Sequence, residues 1–461
     1  AYAIGTVNST VGITTTGNLA LVGSSGITLG ANITSGAGTQ TYTGPVSLST
    51  GAITLGSTDA AITFSGSTSK INGAQALTIN SGNARVTFGG LIGDTTPISS
   101  LTLQGTGENY LPSSIAATGN IDLKGTSRTI PLQVNSTITS SSNGNITLGA
   151  VTGAFSLGLS NGSGTIDLSA VGTSSSKLTT LTLYGTGNNK LYGDIVTTGA
   201  VDLKGTSRTT QLFSDVTINN TNSDVTAGTI NGGTTDGAFI FNVNNGSGSI
   251  VAGNVGLVVK LKSLTFTGTG NTNIGTVDTT NGYDLGADRG LTLNADTTYN
   301  NPTDLVLGAI TLANNVTITL GNGGVGTISV KSISGTAGGS TGVLLGKSNV
   351  IIDSVAGVTV IGAVGTDIGT ITITNSGGTT FSSTVDAATV AITSTSLNNA
   401  VTFNDSLNLS SGMTVGAGSA AYNVAINGSS NTIAGTTTFN NTGTVTLGNG
   451  SDTINFTGGV V

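Results

Sequence analysis

The sequence predicts an all-β protein that winds as a parallel β-solenoid (a β-helix) with about 20 residues per coil. Three observations predict this fold. Short apolar–polar–apolar triplets, each followed by Gly, Ser or Asn, recur along the chain. A 32-residue segment occurs twice at an offset of 80 residues. The composition combines 73 Gly with many β-branched residues and only 7% charged residues.

The triplets predict the strands. Typical examples are Ile27-Thr28-Leu29, Ile121-Asp122-Leu123 and Val401-Thr402-Phe403. Period-2 alternation places their apolar members on one face and the Thr or Asp on the other. The triplets recur at intervals of roughly 15 to 25 residues, and Gly or β-branched residues interrupt every window that could form a helix. We therefore expect two or three short strands per coil, about 23 coils in all, and essentially no helix.

The repeat predicts how the coils are organised. Leu101–Leu132 (LTLQGTGENYLPSSIAATGNIDLKGTSRTIPL) and Leu181–Leu212 (LTLYGTGNNKLYGDIVTTGAVDLKGTSRTTQL) are identical at 20 of 32 positions. A third copy of the beginning of this segment follows at Leu264. We predict one continuous solenoid over residues 1–461 with a super-repeat of about 80 residues (101–180 and 181–263), corresponding to four coils. An array of β-sandwich domains is the rival all-β arrangement.

Composition excludes several classes of function. The chain has no Cys and no His, so disulfides, thiolate chemistry and His-dependent catalytic or metal sites are excluded. Its 13 Lys and Arg are scattered singly within a net charge of −7, which argues against nucleic acid as a partner. No apolar run approaches the length of a membrane helix, so we expect no membrane insertion. The chain also lacks a recognisable signal peptide, and we expect it to be a fragment or a processed part of a longer chain.

Few residues could carry site chemistry. One loop, VDTTNGYDLGADRGL, gathers Asp278, Asp284 and Asp288 with Tyr283 and Arg289. It is the candidate for a calcium or sugar site, and solvated turn carboxylates with a local ion pair are the alternative. We assign no catalytic residue, no cofactor and no established metal ligand, and we expect the protein not to be an enzyme.

Two polar patterns could mark a surface. The first is a triple that recurs in both copies: Asp122, Lys124 and Arg128, then Asp202, Lys204 and Arg208. We predict that the Asp and Lys point to solvent and that the triples form surface ion pairs, with a periodic binding surface as the alternative. The second is the set of outward Thr and Asn rows, which suit contact with a glycan, ice or a partner protein but in most solenoids only solvate the surface.

One segment carries a family resemblance. Residues Gly73–Gly105, GAQALTINSGNARVTFGGLIGDTTPISSLTLQG, and the Gly-rich strands before them resemble the repeat regions of filamentous-haemagglutinin-like exoproteins of two-partner secretion. The resemblance implies a right-handed parallel β-helix exported to the bacterial cell surface for adhesion or as a structural fibre. The chain departs from that family by lacking the N-terminal secretion domain with its NPNL-type and NPNG-type signatures, which leaves the export route open.

These observations predict an extracellular structural or adhesive protein of a bacterial surface, a stiff rod that self-associates into fibres through the open strand edges of its end coils. A surface glycan or a receptor on a host or neighbouring cell is the expected external partner. Two alternatives remain open. One is an S-layer or sheath subunit built of β-sandwich domains, and the other is a β-helix that binds or degrades polysaccharide.

Overall fold

The computed structural model describes residues 5–336 and 346–461 of the chain. The chain forms two compact units, Ala1–Gly233 (unit 1) and Thr234–Val461 (unit 2), which are described separately. All regular elements of the described residues are β-strands, and no helix among them could cross a membrane. The predicted all-β parallel solenoid is confirmed. That one solenoid runs unbroken through residues 1–461 stays a prediction.

The strands of unit 1 are short because Gly, Asn or Ser closes most of them. They are β1 (Val7–Ser9), β2 (Ile13–Thr14), β3 (Leu19–Val22), β4 (Ile27–Leu29), β5 (Ile33–Thr34), β6 (Gln40–Thr43), β7 (Val46–Leu48), β8 (Ile53–Gly56), β9 (Ile62–Phe64), β10 (Ile71–Asn72), β11 (Ala76–Asn80), β12 (Val86–Phe88), β13 (Ser100–Gln104), β14 (Asn109–Tyr110), β15 (Ser114–Ala117), β16 (Ile121–Asp122), β17 (Thr129–Pro131), β18 (Ser136–Ser140), β19 (Ile146–Leu148), β20 (Ala150–Thr152), β21 (Leu157–Ser160), β22 (Ile166–Leu168), β23 (Leu181–Tyr184), β24 (Asn188–Leu191), β25 (Ile195–Val196), β26 (Val201–Asp202), β27 (Thr209–Leu212), β28 (Val216–Asn219), β29 (Val225–Thr226) and β30 (Ile230–Gly232).

These strands stack in three parallel ladders, and each turn of the solenoid adds to each ladder. The first ladder begins with β1, β4, β7 and β10 and later contains β15, β18, β21, β23, β26 and β29. The second runs through β2, β5, β8, β11, β13, β16, β19, β22, β24, β27 and β30, and the third begins with β3, β6, β9, β12 and β14. Successive turns therefore lie in register, each pairing its backbone with the turn before it.

The strands of unit 2 follow the same plan but several are longer. They are β31 (Ile240–Asn244), β32 (Ile250–Ala252), β33 (Ser263–Thr267), β34 (Asn271–Ile274), β35 (Tyr283–Asp284), β36 (Gly290–Leu293), β37 (Thr297–Asn300), β38 (Leu305–Leu312), β39 (Thr317–Gly321), β40 (Ile328–Gly335), β41 (Ser348–Ser354), β42 (Thr359–Ser376), β43 (Thr379–Phe381), β44 (Val385–Ile392), β45 (Ala400–Phe403), β46 (Leu407–Val415), β47 (Asn423–Ile426), β48 (Ser430–Ile433), β49 (Thr437–Phe439), β50 (Val445–Leu447) and β51 (Thr453–Phe456). The 18-residue β42 pairs with β40, β41, β43 and β44, so one bent strand serves neighbouring ladders.

Alternating triplets fill the interior as predicted. In the second ladder of unit 1, Leu101, Ile121, Ile146 and Ile166 are Cα partners in successive turns, and each is fully buried. Aromatic residues stack in the same way. The ring centroids of Tyr42 and Phe64 are 4.9 Å apart, close to the strand spacing of a sheet. Like residues thus pack on like residues along a narrow apolar interior.

The solenoid has about 20 turns at a spacing of about 22 residues, so the predicted spacing of about 20 residues per coil is confirmed and the predicted 23 coils are slightly too many. The 80-residue repeat is also not four coils. Leu101 lies in β13 of the second ladder, which passes through three turns to β22, whereas Leu181 lies in β23 of the first ladder. The repeat therefore spans three full turns and part of a fourth, and its two copies face different sides of unit 1.

Side chains at the corners link one turn to the next. Asn145 Oδ1 accepts a hydrogen bond from the backbone N–H of Thr165 at 2.9 Å, one turn later. Asn32 and Thr54 form the same bond in unit 1, and Asp304 and Thr327 form it in unit 2. The abundance of Asn and Asp at corners thus has a structural cause, because these carboxamides and carboxylates satisfy backbone N–H groups that the ladders leave unpaired.

Candidate functional site

The most elaborate polar arrangement in the protein is internal and centres on a buried arginine. Arg208 is 0% exposed and donates hydrogen bonds from all three guanidinium nitrogens. Its Nε donates to Asn189 Oδ1 in the preceding turn, and its Nη1 donates to Asn161 Oδ1 one turn further back at 2.9 Å. The acceptors in these turns also include backbone carbonyls, among them Gly164 O at 3.0 Å. One side chain thus ties three successive turns together.

The same arrangement occurs twice more. Arg128 is 0% exposed and donates to Asn109 Oδ1 and to the carbonyl of Ala84, and Arg289 in unit 2 is 1% exposed and donates to Asn245 Oδ1 at 3.0 Å. The ion pairs found among the described residues involve none of these three guanidinium groups. The prediction that Arg128 and Arg208 form surface ion pairs is therefore wrong, because carbonyl and carboxamide dipoles inside the solenoid provide all their acceptors.

The glycines of the Gly-Thr-Gly motif allow the close approach that this arrangement needs. Gly185 has φ +99°, and a Cβ atom there would lie 2.2 Å from the carbonyl oxygen of Gly162 in the preceding turn. A Cβ atom on Gly187 would lie 2.0 Å from the carbonyl oxygen of Gly164. Both of these carbonyls accept hydrogen bonds from Arg208. We call each of these buried arginines, with its acceptors in the two preceding turns, an arginine clamp. The glycines of the repeated motif let the backbones of neighbouring turns come close enough to form it.

Arg128 and Arg208 carry their charge at neutral pH. Burial lowers the pKa of Arg128 and that of Arg208 to about 10, which is still far above neutrality. Fixed carbonyl dipoles solvate each guanidinium in place of water. Since the side chains are buried, they stabilise the stack of turns and cannot meet a ligand in solution.

The three aspartates of the candidate calcium or sugar loop each make a separate contact. Asp278 Oδ2 lies 3.0 Å from Lys260 Nζ, and Asp288 Oδ1 lies 3.8 Å from Lys331 Nζ. Asp284 is exposed and accepts a hydrogen bond from the backbone N–H of Gly286, two residues later. Over residues 5–336 and 346–461, no three acidic, His or Cys side chains gather into a group that could hold a metal ion.

The other two members of that loop are interior residues. Tyr283 is 4% exposed, and burial raises its pKa well above the ordinary value for tyrosine. Its ring packs against that of Tyr299, with centroids 6.0 Å apart. Arg289 is the clamp arginine described above. The residues that looked like aromatic and basic partners for a sugar are therefore parts of the core.

In the two repeated triples, the Asp and Lys side chains make different contacts from the buried Arg. Asp122 Oδ1 accepts a hydrogen bond from the N–H of Lys124 at 2.9 Å, and Asp202 accepts the equivalent bond from Lys204 at 2.8 Å. Both aspartates thus close their own turns. The two lysines reach outward, but their surroundings differ because the two copies occupy different ladders.

Lys124 belongs to a group of side chains that sequence reasoning missed. Its Nζ lies 5.3 Å from the ring centroid of Tyr192, and the Nζ of Lys190 lies 5.7 Å from that of Phe213. The two rings stack at 5.1 Å with an interplanar angle of 23°. We call Lys124, Asp167, Lys190, Tyr192 and Phe213 the lysine–aromatic cluster. Its only sequence signal is the divergence of the second copy from the first at positions 190 and 192.

Shallow grooves are also present in both units. In unit 1, a groove of about 510 Å³ is lined by Asn80, Thr102, Gln104, Asp122 and Thr126, which come from successive turns. In unit 2, a groove of about 460 Å³ is lined by polar and apolar residues of five turns: Lys347, Asp367, Ile368, Asp386, Ala387, Asn408, Leu409, Ser410, Thr432 and Ala434. Two of its polar groups bond to each other, since Asn408 Nδ2 donates to Asp386 Oδ1 at 2.9 Å.

The fold and these contacts define a parallel β-solenoid protein whose most specialised side chains hold its own turns together. Comparisons with protein-family models, curated proteins and solved structures find no match to this chain. The resemblance to filamentous-haemagglutinin-like exoproteins therefore stays a prediction.

Proposed function

We propose that this protein is an extracellular structural and adhesive element of a bacterial surface, built to be long, stiff and chemically quiet. The observation that carries the proposal is that many side chains form hydrogen bonds from one turn of the solenoid to the next. Each clamp arginine joins three turns, and corner Asn and Asp side chains join neighbouring turns between the clamps. Such a stack resists bending and local opening because every turn between its ends is paired on both sides.

The distribution of polar chemistry supports the same role. The candidate carboxylates are occupied separately by lysines or by their own turns, so they do not form the facing pair that glycoside hydrolysis uses. A polysaccharide-degrading function thus has no supporting geometry at the predicted loop. The alternative of β-sandwich domains is wrong, because the described strands pair in parallel between successive turns.

Self-association is part of the proposal. Strands at the end of a solenoid expose N–H and C=O groups that a second copy can pair. Head-to-tail stacking of two copies would pair such groups. This contact is heterologous, and repetition of it yields filaments rather than a closed dimer.

One experiment tests the proposal in two stages. Antibody labelling of intact cells of the source organism, with and without permeabilisation, should show the protein outside the cell. Light scattering of the purified chain over a hundred-fold concentration range should then show growing assemblies, seen as filaments by electron microscopy. Labelling that appears only after permeabilisation, or strict monomers at every concentration, contradicts the proposal.

A further inference from the structure

We propose that the lysine–aromatic cluster of unit 1 binds an acidic saccharide, a hydroxylated sugar ring that carries a carboxylate or a sulfate. The inference rests on the proposed adhesive function, because it names the surface and the ligand class that adhesion would use. Its support lies in how the five side chains are positioned, how they are charged, and how the two copies of the repeat differ.

The ladder brings the cluster together from distant positions in the chain. Asp167 and Lys190 are Cα partners in β22 and β24 of the second ladder. Lys124 follows β16, which lies two turns below β22 in that ladder, yet its ammonium reaches the ring of Tyr192. Phe213 follows β27, one turn above β24. The cluster thus spans the surface of five turns, a length suited to a short oligosaccharide rather than to a single ion.

The charges of the cluster are not neutralised internally. Two other surface cations of unit 1 are paired, with Lys70 Nζ at 2.7 Å from Asp94 and Arg85 Nη2 at 2.8 Å from Glu108. In the described part of the chain, neither Lys124 nor Lys190 forms such an ion pair. The rings of Tyr192 and Phe213 hold the two ammonium groups in place through cation–π contacts, which leave the positive charge available to an anion.

The single acid of the cluster leaves a net positive charge. Burial raises the pKa of Asp167, and the nearby Lys190 and Lys124 oppose that shift. Its Oδ1 is buried without a hydrogen-bond partner, and among the described residues no ion pair joins this carboxylate to either lysine. Two cations against one carboxylate favour an anionic group. Phe213 stacks on the Tyr192 ring and Lys124 lies over it, and the part of Tyr192 that remains exposed (39%) offers apolar contact to a sugar ring.

The two copies of the repeat show that these side chains are not needed by the scaffold. Positions 190, 192 and 213 correspond, 80 residues earlier, to Tyr110, Pro112 and Gln133. The Arg, the Asn that accepts from its Nε and the Gly-Thr-Gly motif stay the same in both copies, while these surface positions change. The repeat therefore folds with Tyr and Gln at the matching positions of its first copy, and the lysine and the aromatic pair are particular to the second copy.

The chemistry favours a saccharide over other anions. A nucleic acid needs many phosphate contacts for useful affinity, and two lysines on a chain of net charge −7 do not supply them. An acidic peptide would gain from a deep apolar groove or a free strand edge, whereas the strands here are paired on both sides. A sugar uses what is present, namely an exposed ring, two ammonium groups and surrounding polar side chains.

The test measures binding of defined oligosaccharides to the full chain by isothermal titration calorimetry at low salt. The probes are a galacturonate oligomer, a chondroitin sulfate oligomer and a neutral cello-oligosaccharide of equal length. We expect one or both acidic probes to bind at least about ten-fold more tightly than the neutral one, with affinity that falls as salt rises. Preference between the acidic probes identifies the anion as carboxylate or sulfate.

Variants taken from the other copy locate the site. Lys190→Tyr combined with Phe213→Gln should lower the affinity at least about ten-fold while the circular dichroism spectrum is unchanged. Lys124→Met should weaken binding, whereas Lys204→Met, the matched lysine of the second copy, should not. Failure of both acidic probes to bind, equal binding of the neutral probe, or equal effects of the two methionine variants overturns the proposal.

The same preparations separate this site from the proposed function. The double variant should still form filaments, because its substitutions lie on the side of unit 1 and not at a solenoid end. Lost sugar binding with intact assembly supports the site. Normal assembly of a wild-type chain that binds no acidic sugar refutes the site alone, and a chain that binds sugar but never assembles refutes the filament role alone.

Discussion

Replacing Arg208 with alanine should destabilise the middle of unit 1 more than any surface change nearby. The guanidinium makes six hydrogen bonds, to two carboxamide oxygens and four backbone carbonyls. The alanine variant removes the donor of all six bonds: Gly162 O keeps a bond from the N–H of Thr186 at 2.7 Å, whereas the carboxamide oxygens of Asn161 and Asn189 lose the donor that they have. It also opens a cavity where a fully buried side chain stood.

The structure sets the size of the effect. An acceptor left buried and unpaired costs about 1–3 kcal/mol, and a large-to-small core substitution costs about 2–5 kcal/mol. These penalties overlap, because neighbouring groups relax and water enters the space. We expect a net loss of about 4 kcal/mol, close to the largest effects that single substitutions produce. Lysine at this position keeps a positive charge but cannot reach acceptors in two preceding turns, so it should recover only part of the loss.

Hydrogen exchange followed by mass spectrometry is the appropriate assay, because a stack of turns can open locally without unfolding as a whole. A local loss of about 4 kcal/mol corresponds to protection reduced about a thousand-fold. The reduction should be confined to peptides from the three clamped turns. Lys204→Ala, four residues away on the surface, is the matched control and should change protection little. Unchanged protection around Arg208→Ala, or equal loss in the control, would refute the clamp.

Three further predictions follow from single contacts. Gly185→Ala should cost at least about 2 kcal/mol in the free energy of unfolding, since its φ is +99° and the new Cβ meets a carbonyl at 2.2 Å. Gly158→Ala is the control and should be nearly neutral, because the nearest atom to its new Cβ is at 3.6 Å. Equal thermal shifts for the two variants would argue against the close approach at Gly185. Asp167→Asn should stabilise unit 1 at neutral pH. Because burial raises the folded pKa of Asp167, stability falls as pH rises through that pKa, so the gain should disappear in acid, and a gain that persists at pH 3 would contradict this sign. Asn145→Ala removes the acceptor of the Thr165 N–H and should cost about 1 kcal/mol, with faster exchange at that amide as the check.

Much of the fold could be predicted because its determinants are local. Triplets such as Ile27-Thr28-Leu29 bury their two apolar members and leave the Thr outside, as period-2 alternation requires. Their spacing indicated stacked coils, and the structure confirms parallel pairing between successive turns. Gly and Asn at the corners follow from the same local rules.

The remaining features depend on which turn lies against which. The sequence likeness of the two repeat copies could not show that Leu181 lies in a different ladder from Leu101. Loops of unequal length between the copies shift the second copy by part of a turn relative to the first. Burial of Arg128 and Arg208 was hidden for a related reason. Arg is mostly a surface residue, and the carbonyls that receive it belong to turns 20 to 46 residues earlier in the chain. The lysine–aromatic cluster likewise exists only once five turns are stacked.

Disulfide mapping tests the stacking of the turns most directly, because the chain has no cysteine of its own. Cα partners on neighbouring strands lie about 4.8 Å apart, within the range that a disulfide bridges. In the structure Thr182 is the partner of Gly158 in the first ladder, whereas four whole coils per repeat would make it the partner of Asp167. The account predicts that Gly158→Cys with Thr182→Cys forms a disulfide on mild oxidation and that Asp167→Cys with Thr182→Cys does not. The reverse result would contradict it.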